Sequence, residues 1–177
     1  LYTDSPIVLY SITPTKWLCF DIVLTMNAPL NDLQKHIEGD IHTDDETREL
    51  NSHDASVYEL TPEAVIAPRS VKDISTIVRF VTAHKHEYPT LAITPRSAGT
   101  DMSGAAIGGS LILNMLPYFN TIHSASSTLL HTQPGVYMRD IDPALAAQGA
   151  MLGCVPASRA INTIGGMVGN NSAGEQS

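Results

Sequence analysis

A glycine-rich segment, PRSAGTDMSGAAIGG (residues 95–109), separates two short apolar runs in the middle of the chain. Glycine lacks a Cβ atom, so successive N–H groups of such a segment can turn toward one concavity and bind an anion. Thr100 and Ser103 add hydroxyl donors. This segment, which we name the first glycine loop, therefore favours a phosphate cradle that needs no lysine. A loop that is glycine-rich only because it turns tightly is the alternative.

Two familiar phosphate-binding motifs do not fit this loop. Gly99 and Gly104 have the spacing of a Walker motif, but Ala105 and Ala106 stand where that motif requires Lys and Ser or Thr. A GxGxxG pattern at a strand-to-helix turn is also absent from the sequence. The sequence therefore supports neither hydrolysis of a nucleoside triphosphate nor a Rossmann dinucleotide site.

A second glycine-rich segment, VPASRAINTIGGMVGNNSAG, covers residues 155–174. We name it the second glycine loop. Thr163 is placed to cap a helical turn whose N–H groups could face an anion, and Asn170 offers an amide donor and acceptor for the edge of a heterocycle. A turn followed by a short helix is the alternative. Two such segments in one chain favour a shared ligand.

The intervening sequence predicts an α+β domain. Short apolar runs predict strands over 64–67, 91–94, 110–114, 129–133 and 151–156. The resulting order, β-α-β-loop-β-β-α-β, does not alternate as regularly as a doubly wound sheet does.

Two helices are predicted between these strands. Ser70 is a typical N-cap for a helix over 71–84, whose apolar face is formed by Ile74, Ile77, Val78 and Val81. A second helix is predicted to have Asp142 as its N-cap, Pro143 as its first residue and Gly149 as its stop.

The formal net charge of −8 is unevenly distributed along the chain. Residues 26–60 carry nine acidic and two basic side chains, whereas the residues from 61 onward carry seven of each. The main body therefore offers no basic face to nucleic acid, and no membrane association is evident. Two cysteines, Cys19 and Cys154, are too few for a disulfide framework, so we expect a cytoplasmic protein.

Three regions are expected along the chain. Residues 1–25 have no clear period, and Met26 opens a stretch that resembles a natural protein start. Our hypothesis is that residues 1–25 are an upstream or disordered extension; an additional strand or helix is the alternative. Residues 26–51 are expected to form an acidic leader, and residues 52–177 an incomplete domain that continues beyond Ser177.

Four blocks of the sequence resemble a known family. They are HDASVYELTPEAVIAPRSVKDISTIV, ITPRSAGTDMSGAAIGGSLILN, QPGVYMRDIDPALAAQGA and PASRAINTIGGMVGNNSAG. In this order they are similar to the FAD-binding oxidoreductases of the vanillyl-alcohol oxidase and para-cresol methylhydroxylase (PCMH) type, in particular the D-lactate and glycolate dehydrogenase branch. The resemblance covers about residues 52–174. It implies a PCMH-type FAD-binding domain with two small α/β subdomains and FAD between them.

The resemblance also implies a set of FAD-binding residues. Those expected around the pyrophosphate are Arg96, Ser97, Ala98, Gly99, Thr100, Asp101, Ser103 and Gly104. Those expected near the flavin or its ribityl chain are Pro156, Ser158, Thr163, Gly165, Gly166 and Asn170. The chain departs from the family where Ser97 and Ala98 replace two usual glycines, which puts the geometry of the loop in question.

The resemblance implies non-covalent FAD. Thr100 stands where some relatives attach flavin through histidine, and Cys154 is expected to be a small buried apolar residue. The implied activity is dehydrogenation of a D-2-hydroxy acid, D-lactate or glycolate, with an electron acceptor of unknown identity. The residues that grip such a substrate are expected beyond Ser177, so no catalytic residue and no metal ligand is predicted here.

Three alternatives to this activity remain open from the sequence. The chain could belong to a flavin reductase of the UDP-sugar type or to an alkyl-glycerone-phosphate synthase, both of which share the FAD fold. It could also be a flavin-binding module without catalytic activity.

Overall fold

A four-stranded sheet organises the first half of the protein. The computed structural model describes residues 29–174, so the predictions for residues 1–25 lie outside it. The elements in chain order are α1 (29–34), β1 (Asp40–His42), α2 (Asp45–Leu50), β2 (Ala64–Ala67), α3 (Val71–His84), β3 (Ile93–Arg96), β4 (Leu111–Asn114), β5 (Ile122–Ala125), β6 (Leu130–Thr132), α4 (Met138–Ala146) and α5 (Ile164–Gly169).

The strand order in this sheet is β1-β2-β4-β3. Strands β2, β4 and β3 run parallel, and β1 pairs antiparallel with β2 at one edge. The central strands read AVIA and LILN and are buried because parallel strands are covered on both faces. Strand β1 comes from the acidic segment 26–51, which therefore contributes to the sheet.

The first glycine loop is the crossover between two parallel neighbours. Because β3 and β4 are parallel, the chain must return from the end of one to the beginning of the other, a connection that is usually helical. Residues 97–110 make this return without a helix. The loop therefore begins at the carboxyl end of β3, where ligands of open α/β sheets bind.

Helix α3 begins and ends as predicted. The Ser70 hydroxyl oxygen accepts the Asp73 N–H (3.1 Å), which satisfies one of the free donors at the helix start. Ile77 is completely buried, whereas Val78, predicted on the same face, is 47% exposed. That part of the prediction is wrong because the sheet covers a narrower stripe of the helix than the apolar residues span.

Asp73 joins this helix to the amino-terminal segment. Its buried carboxylate accepts the N–H groups of Glu38 (3.1 Å), Gly39 (3.0 Å) and Arg69 (2.9 Å). Burial alone would raise the pKa of Asp73, but these N–H donors and the Ser70 hydroxyl hold it below its ordinary value.

We expect Asp73→Asn to lower the free energy of unfolding by about 2 kcal/mol, because an amide presents one acceptor where the carboxylate presents two. Chemical denaturation of both proteins at neutral pH would measure the difference. The exposed substitution Asp140→Asn on α4 is the control and should change little. An unchanged midpoint and slope for Asp73→Asn would contradict this role.

A second core forms around the hairpin β5-β6 and helices α4 and α5. Its buried residues are Val136, Met138, Ile141, Leu145 and Met167. The first core lies between α1, α3 and the four-stranded sheet. Two cores with their own helices and strands confirm the predicted α+β class with two small subdomains.

Helix α4 begins at Met138, so the prediction of Asp142 as its N-cap is wrong. Pro143, predicted as the first residue, lies inside the helix. The earlier turn forms because Met138 and Ile141 are completely buried, and the Met138 N–H donates to the Asn162 carbonyl (3.1 Å). Tertiary packing outweighs the loss of one hydrogen bond at proline.

Other element boundaries also differ from the prediction. Residues 151–156, predicted as a strand, form none and pair with none of the described strands. Strand β3 covers 93–96 rather than 91–94, because Leu91 lies in the connection before the strand and is buried there. Gly149 adopts a left-handed conformation (φ +67°) just after α4, as its predicted role as a stop requires. Within residues 29–174 no helix has the length and apolar content to cross a membrane.

Candidate functional site

The Arg96 side chain supports the first glycine loop from inside. It lies at the end of β3, where its Nη1 donates to the Ala106 carbonyl (3.0 Å) and its Nη2 donates to the His53 carbonyl (2.6 Å). Burial lowers the pKa of Arg96, and the charge of nearby Asp54 acts in the opposite direction. The guanidinium therefore joins the beginning of the loop to Ala106 near its end and to His53 outside it.

Gly99 and Gly104 have conformations that other residues rarely adopt. Their φ angles are +66° and +86°. A Cβ atom on Gly99 would lie 2.7 Å from Cζ of Arg96, and one on Gly104 would lie 3.1 Å from Cδ2 of Tyr58. The sequence predicted that these glycines give backbone access, and the structure adds close packing as a second requirement.

Asp101 organises the loop through its carboxylate. Oδ2 accepts the N–H groups of Ser103 and Ala105, both at 2.8 Å, and the Ser103 hydroxyl at 2.7 Å. The Ala105 N–H and the Ser103 hydroxyl are the main causes that lower the pKa of Asp101 to about 2. These donors are therefore already occupied by the protein's own carboxylate.

Other donors of the loop have no protein acceptor. In the described part of the chain, the backbone N–H groups of residues 97–100 make no hydrogen bond. Four consecutive N–H groups without partners, at the carboxyl end of β3, have the chemistry of an anion cradle. The substitution of two usual glycines by Ser97 and Ala98 is compatible with this arrangement.

The second glycine loop is held against the segment that precedes α4. The Gly165 N–H donates to the Pro134 carbonyl (2.8 Å), and a Cβ atom on Gly165 would lie 2.6 Å from Cβ of Pro134. Thr163 is the N-cap residue of α5, as predicted, but its side chain makes no capping bond. Its buried Oγ1 has no hydrogen-bond partner among the described residues.

One hydrogen bond joins the two loops. Asn170 Nδ2, at the end of α5, donates to Oδ1 of Asp101 at 2.7 Å. Asp101 therefore uses one carboxylate oxygen to shape the first loop and the other to hold the second loop beside it. The sequence predicted both residues as cofactor ligands, whereas their contact with each other could be found only from the structure.

A cavity of about 320 Å³ lies between the two loops. Nine of the predicted residues line it: Arg96, Ser97, Ala98, Gly99, Thr100, Asp101, Gly165, Gly166 and Asn170. The cavity is also lined by residues that the sequence did not predict: Pro95, Ala105, Ala106, Met115, Pro134 and Gly169. The cavity thus brings together residues 95–106 and 165–170, which are separated by more than fifty residues in the chain.

The remaining predicted residues do not line this cavity. They are Ser103, Gly104, Pro156, Ser158 and Thr163. Ser103 and Gly104 shape the first loop, whereas Pro156 lines a separate hollow beside Arg159. Cys154 also lies elsewhere, where its Sγ contacts the Ser172 carbonyl.

The residues at the cavity fit a dinucleotide cofactor. The unpartnered N–H groups of 97–100 suit a pyrophosphate, and glycines at 99, 165 and 166 leave its surroundings free of Cβ atoms. The cavity adjoins a groove of about 420 Å³ on the other side of residues 98–100. Ala98, Gly99 and Thr100 line both hollows, so the first glycine loop borders each of them.

Comparison with known proteins agrees with this geometry. A family model described as an FAD binding domain matches residues 62–177. The chain is 30% identical to D-2-hydroxyglutarate dehydrogenase of Haemophilus influenzae over 84% of its length, and 34% identical to the glycolate oxidase subunit GlcD of Bacillus subtilis over 72% of its length. It spans only 14% and 27% of those two proteins.

Solved structures share the fold. An alkyldihydroxyacetonephosphate synthase superposes with a TM-score of 0.69 at 18% identity, covering 94% of this chain and 31% of that one. A p-cresol methylhydroxylase superposes with a TM-score of 0.66 at 19% identity, covering 82% of this chain and 29% of that one. The predicted PCMH-type fold is therefore confirmed, and the chain belongs to the FAD binding domain family.

Proposed function

We propose that this chain is the FAD-binding part of an oxidoreductase that dehydrogenates a D-2-hydroxy acid, with FAD bound non-covalently. The observation that carries the proposal is the cavity between the two glycine loops, bordered by N–H groups that have no protein acceptor within residues 29–174. The family match supplies the cofactor class.

In this proposal the first glycine loop holds the pyrophosphate and the second lies along the flavin side of the cofactor. Residues 97–100 donate backbone N–H groups, and Arg96 and Asp101 keep the loop in shape. Gly165 and Gly166 allow the cofactor to approach the backbone, and Asn170 holds the loops together. Ser103 and Gly104 shape the first loop and Thr163 precedes α5, so these three support the site without lining the cavity. Pro156 and Ser158 remain proposed ligands, although they do not line this cavity.

Non-covalent attachment is supported by Thr100, which stands where some relatives carry the histidine of a covalent link, and by Cys154, which directly precedes the second glycine loop. Thr100 lines the cavity but carries no imidazole, and Cys154 lines a different hollow. Neither residue therefore offers a nucleophile to a flavin between the loops.

The proposed substrate class rests on the relatives. Their names specify D-2-hydroxyglutarate dehydrogenase and a subunit of glycolate oxidase, both of which point to 2-hydroxy acids. Flavin supplies the hydride acceptor for such a substrate, while the protein positions it and excludes water. Because the chain spans 14% and 27% of these relatives, we place the groups that grip the substrate outside it. A cytoplasmic location remains part of the proposal.

The test is a visible absorption spectrum of the full-length natural protein, purified without added flavin and then denatured with acid. We expect absorption maxima near about 375 and 450 nm and release of the yellow colour into the supernatant. Colour retained in the precipitate would contradict non-covalent attachment. A colourless protein that takes up no added FAD would overturn the proposed cofactor. Reduction of the bound flavin by D-2-hydroxyglutarate, D-lactate or glycolate would then identify the substrate.

A further inference from the structure

We infer that Arg139, a residue outside both glycine loops, supplies a positive charge to the pyrophosphate of the cofactor. The inference rests on the proposed function and deepens it, because the sequence predicted a cradle of backbone amides that needs no lysine. It assigns an oxyanion-binding role to a residue that neither the motif nor the resemblance singled out.

Arg139 and the first glycine loop line the same groove. Arg139 lies on the first turn of α4 and lines the groove on the far side of residues 98–100. Ala98, Gly99 and Thr100 line both this groove and the cavity between the loops. Residues 98–100, whose N–H groups have no acceptor among the described residues, therefore border both the cavity and the groove that Arg139 lines.

Two contacts orient the Arg139 side chain. The Arg139 guanidinium is stacked over the Tyr137 ring, with Cζ 4.0 Å from the ring centroid. Its Nη1 donates to the Ala160 carbonyl at 3.2 Å. These two contacts hold the side chain in place and leave most of its five N–H donors available. A guanidinium held in this way loses little conformational freedom when it binds a phosphate.

The charge environment of Arg139 differs from that of three other arginines. Arg69, Arg48 and Arg159 each have a carboxylate within salt-bridge distance. Arg139 has none in the described part of the chain. Asp54 also lines the groove, and its charge acts on Arg96. Arg139 is therefore a cation without an ion-pair partner among residues 29–174, and it lines the same groove as donors that have no acceptor, which suits a phosphate oxygen.

The experiment compares ligands that differ in charge. The full-length natural protein and its Arg139→Gln variant are titrated with FAD, inorganic pyrophosphate and riboflavin, which has no phosphate. We expect the substitution to weaken FAD and pyrophosphate about tenfold and to leave riboflavin unchanged. Arg139→Lys should recover part of the affinity, because it keeps the charge but not the fork of donors. Arg79→Gln, an exposed site on α3, is the matched control.

The outcomes separate this inference from the proposed function. Equal FAD affinity in the wild type and in Arg139→Gln would overturn the role of Arg139 and leave the cofactor proposal standing. An equal loss for riboflavin would also overturn it, since the effect would then not depend on phosphate. Binding of pyrophosphate that depends on Arg139, in a protein that takes up no FAD, would support the anion site and overturn the cofactor proposal. Failure to bind any of the three ligands would overturn both.

Discussion

Gly99→Val is expected to abolish FAD binding in practice, with an affinity loss of at least about a hundredfold. A β-branched residue is strained at a φ angle of +66°, and its Cβ atom would lie 2.7 Å from Cζ of Arg96. Relief of that contact displaces the guanidinium that ties residues 53, 96 and 106 together. The measurement is a fluorescence titration of the full-length protein with FAD.

Gly149→Val is the matched control for this substitution. Gly149 has nearly the same φ angle, +67°, but a Cβ atom there would meet nothing within 4 Å, and the residue lies outside the cavity. We expect its variant to lose some stability and to keep its FAD affinity. Gly104→Val should resemble Gly99→Val, and circular dichroism should show an unchanged overall helix content in all three variants. Undiminished flavin content in Gly99→Val would refute the assignment of the loop.

Asp101→Ala is expected to lower FAD affinity by about a hundredfold, because the carboxylate shapes one loop and holds the other. Its removal leaves the Ser103 and Ala105 N–H groups and the Asn170 amide without their acceptor. Asn170→Ala removes only the bond between the loops and should cost less. A double-mutant cycle of these two substitutions, measured by FAD titration, should reveal coupling.

The pH dependence of this contribution follows from the lowered pKa of Asp101. The folded pKa of about 2 lies below the ordinary value of 3.8, so the stabilisation is complete above 3.8 and is lost as the pH falls through about 2. Titration of Asp101 should therefore leave FAD affinity unchanged from neutral pH down to about 4.

Asp140→Ala, an exposed change on α4, serves as the control for Asp101→Ala. Equal affinities for Asp101→Ala and Asp140→Ala would contradict the role of the carboxylate.

The sequence predicted the features that depend on neighbouring residues. The run AVIA, the Ser70 cap and the left-handed Gly149 were predicted correctly because propensity, capping and backbone conformation are local properties. Both glycine loops were also found from composition. The residues of the cavity were predicted in part, since nine of them line it and five do not.

Other features depend on contacts between distant segments. Helix α4 extends past the predicted boundary at Pro143 because the second core buries its first turn. Residues 151–156 form no strand although their apolar run predicted one, and the hydrogen bonds that Asp101 accepts from both loops could not be predicted from either loop alone.

The sequence alone therefore determined the fold class and the two glycine loops, because glycine content and apolar patterning act over short stretches of chain. The class of ligand came from the resemblance of four sequence blocks to a family. Only the tertiary structure decided which N–H groups stay free, which carboxylate occupies the others and where Arg139 lies. These depend on the crossover from β3 to β4, on the burial of α4 in the second core and on the hydrogen bond between the two loops. Contacts between segments so far apart in the chain have no signature in either segment by itself.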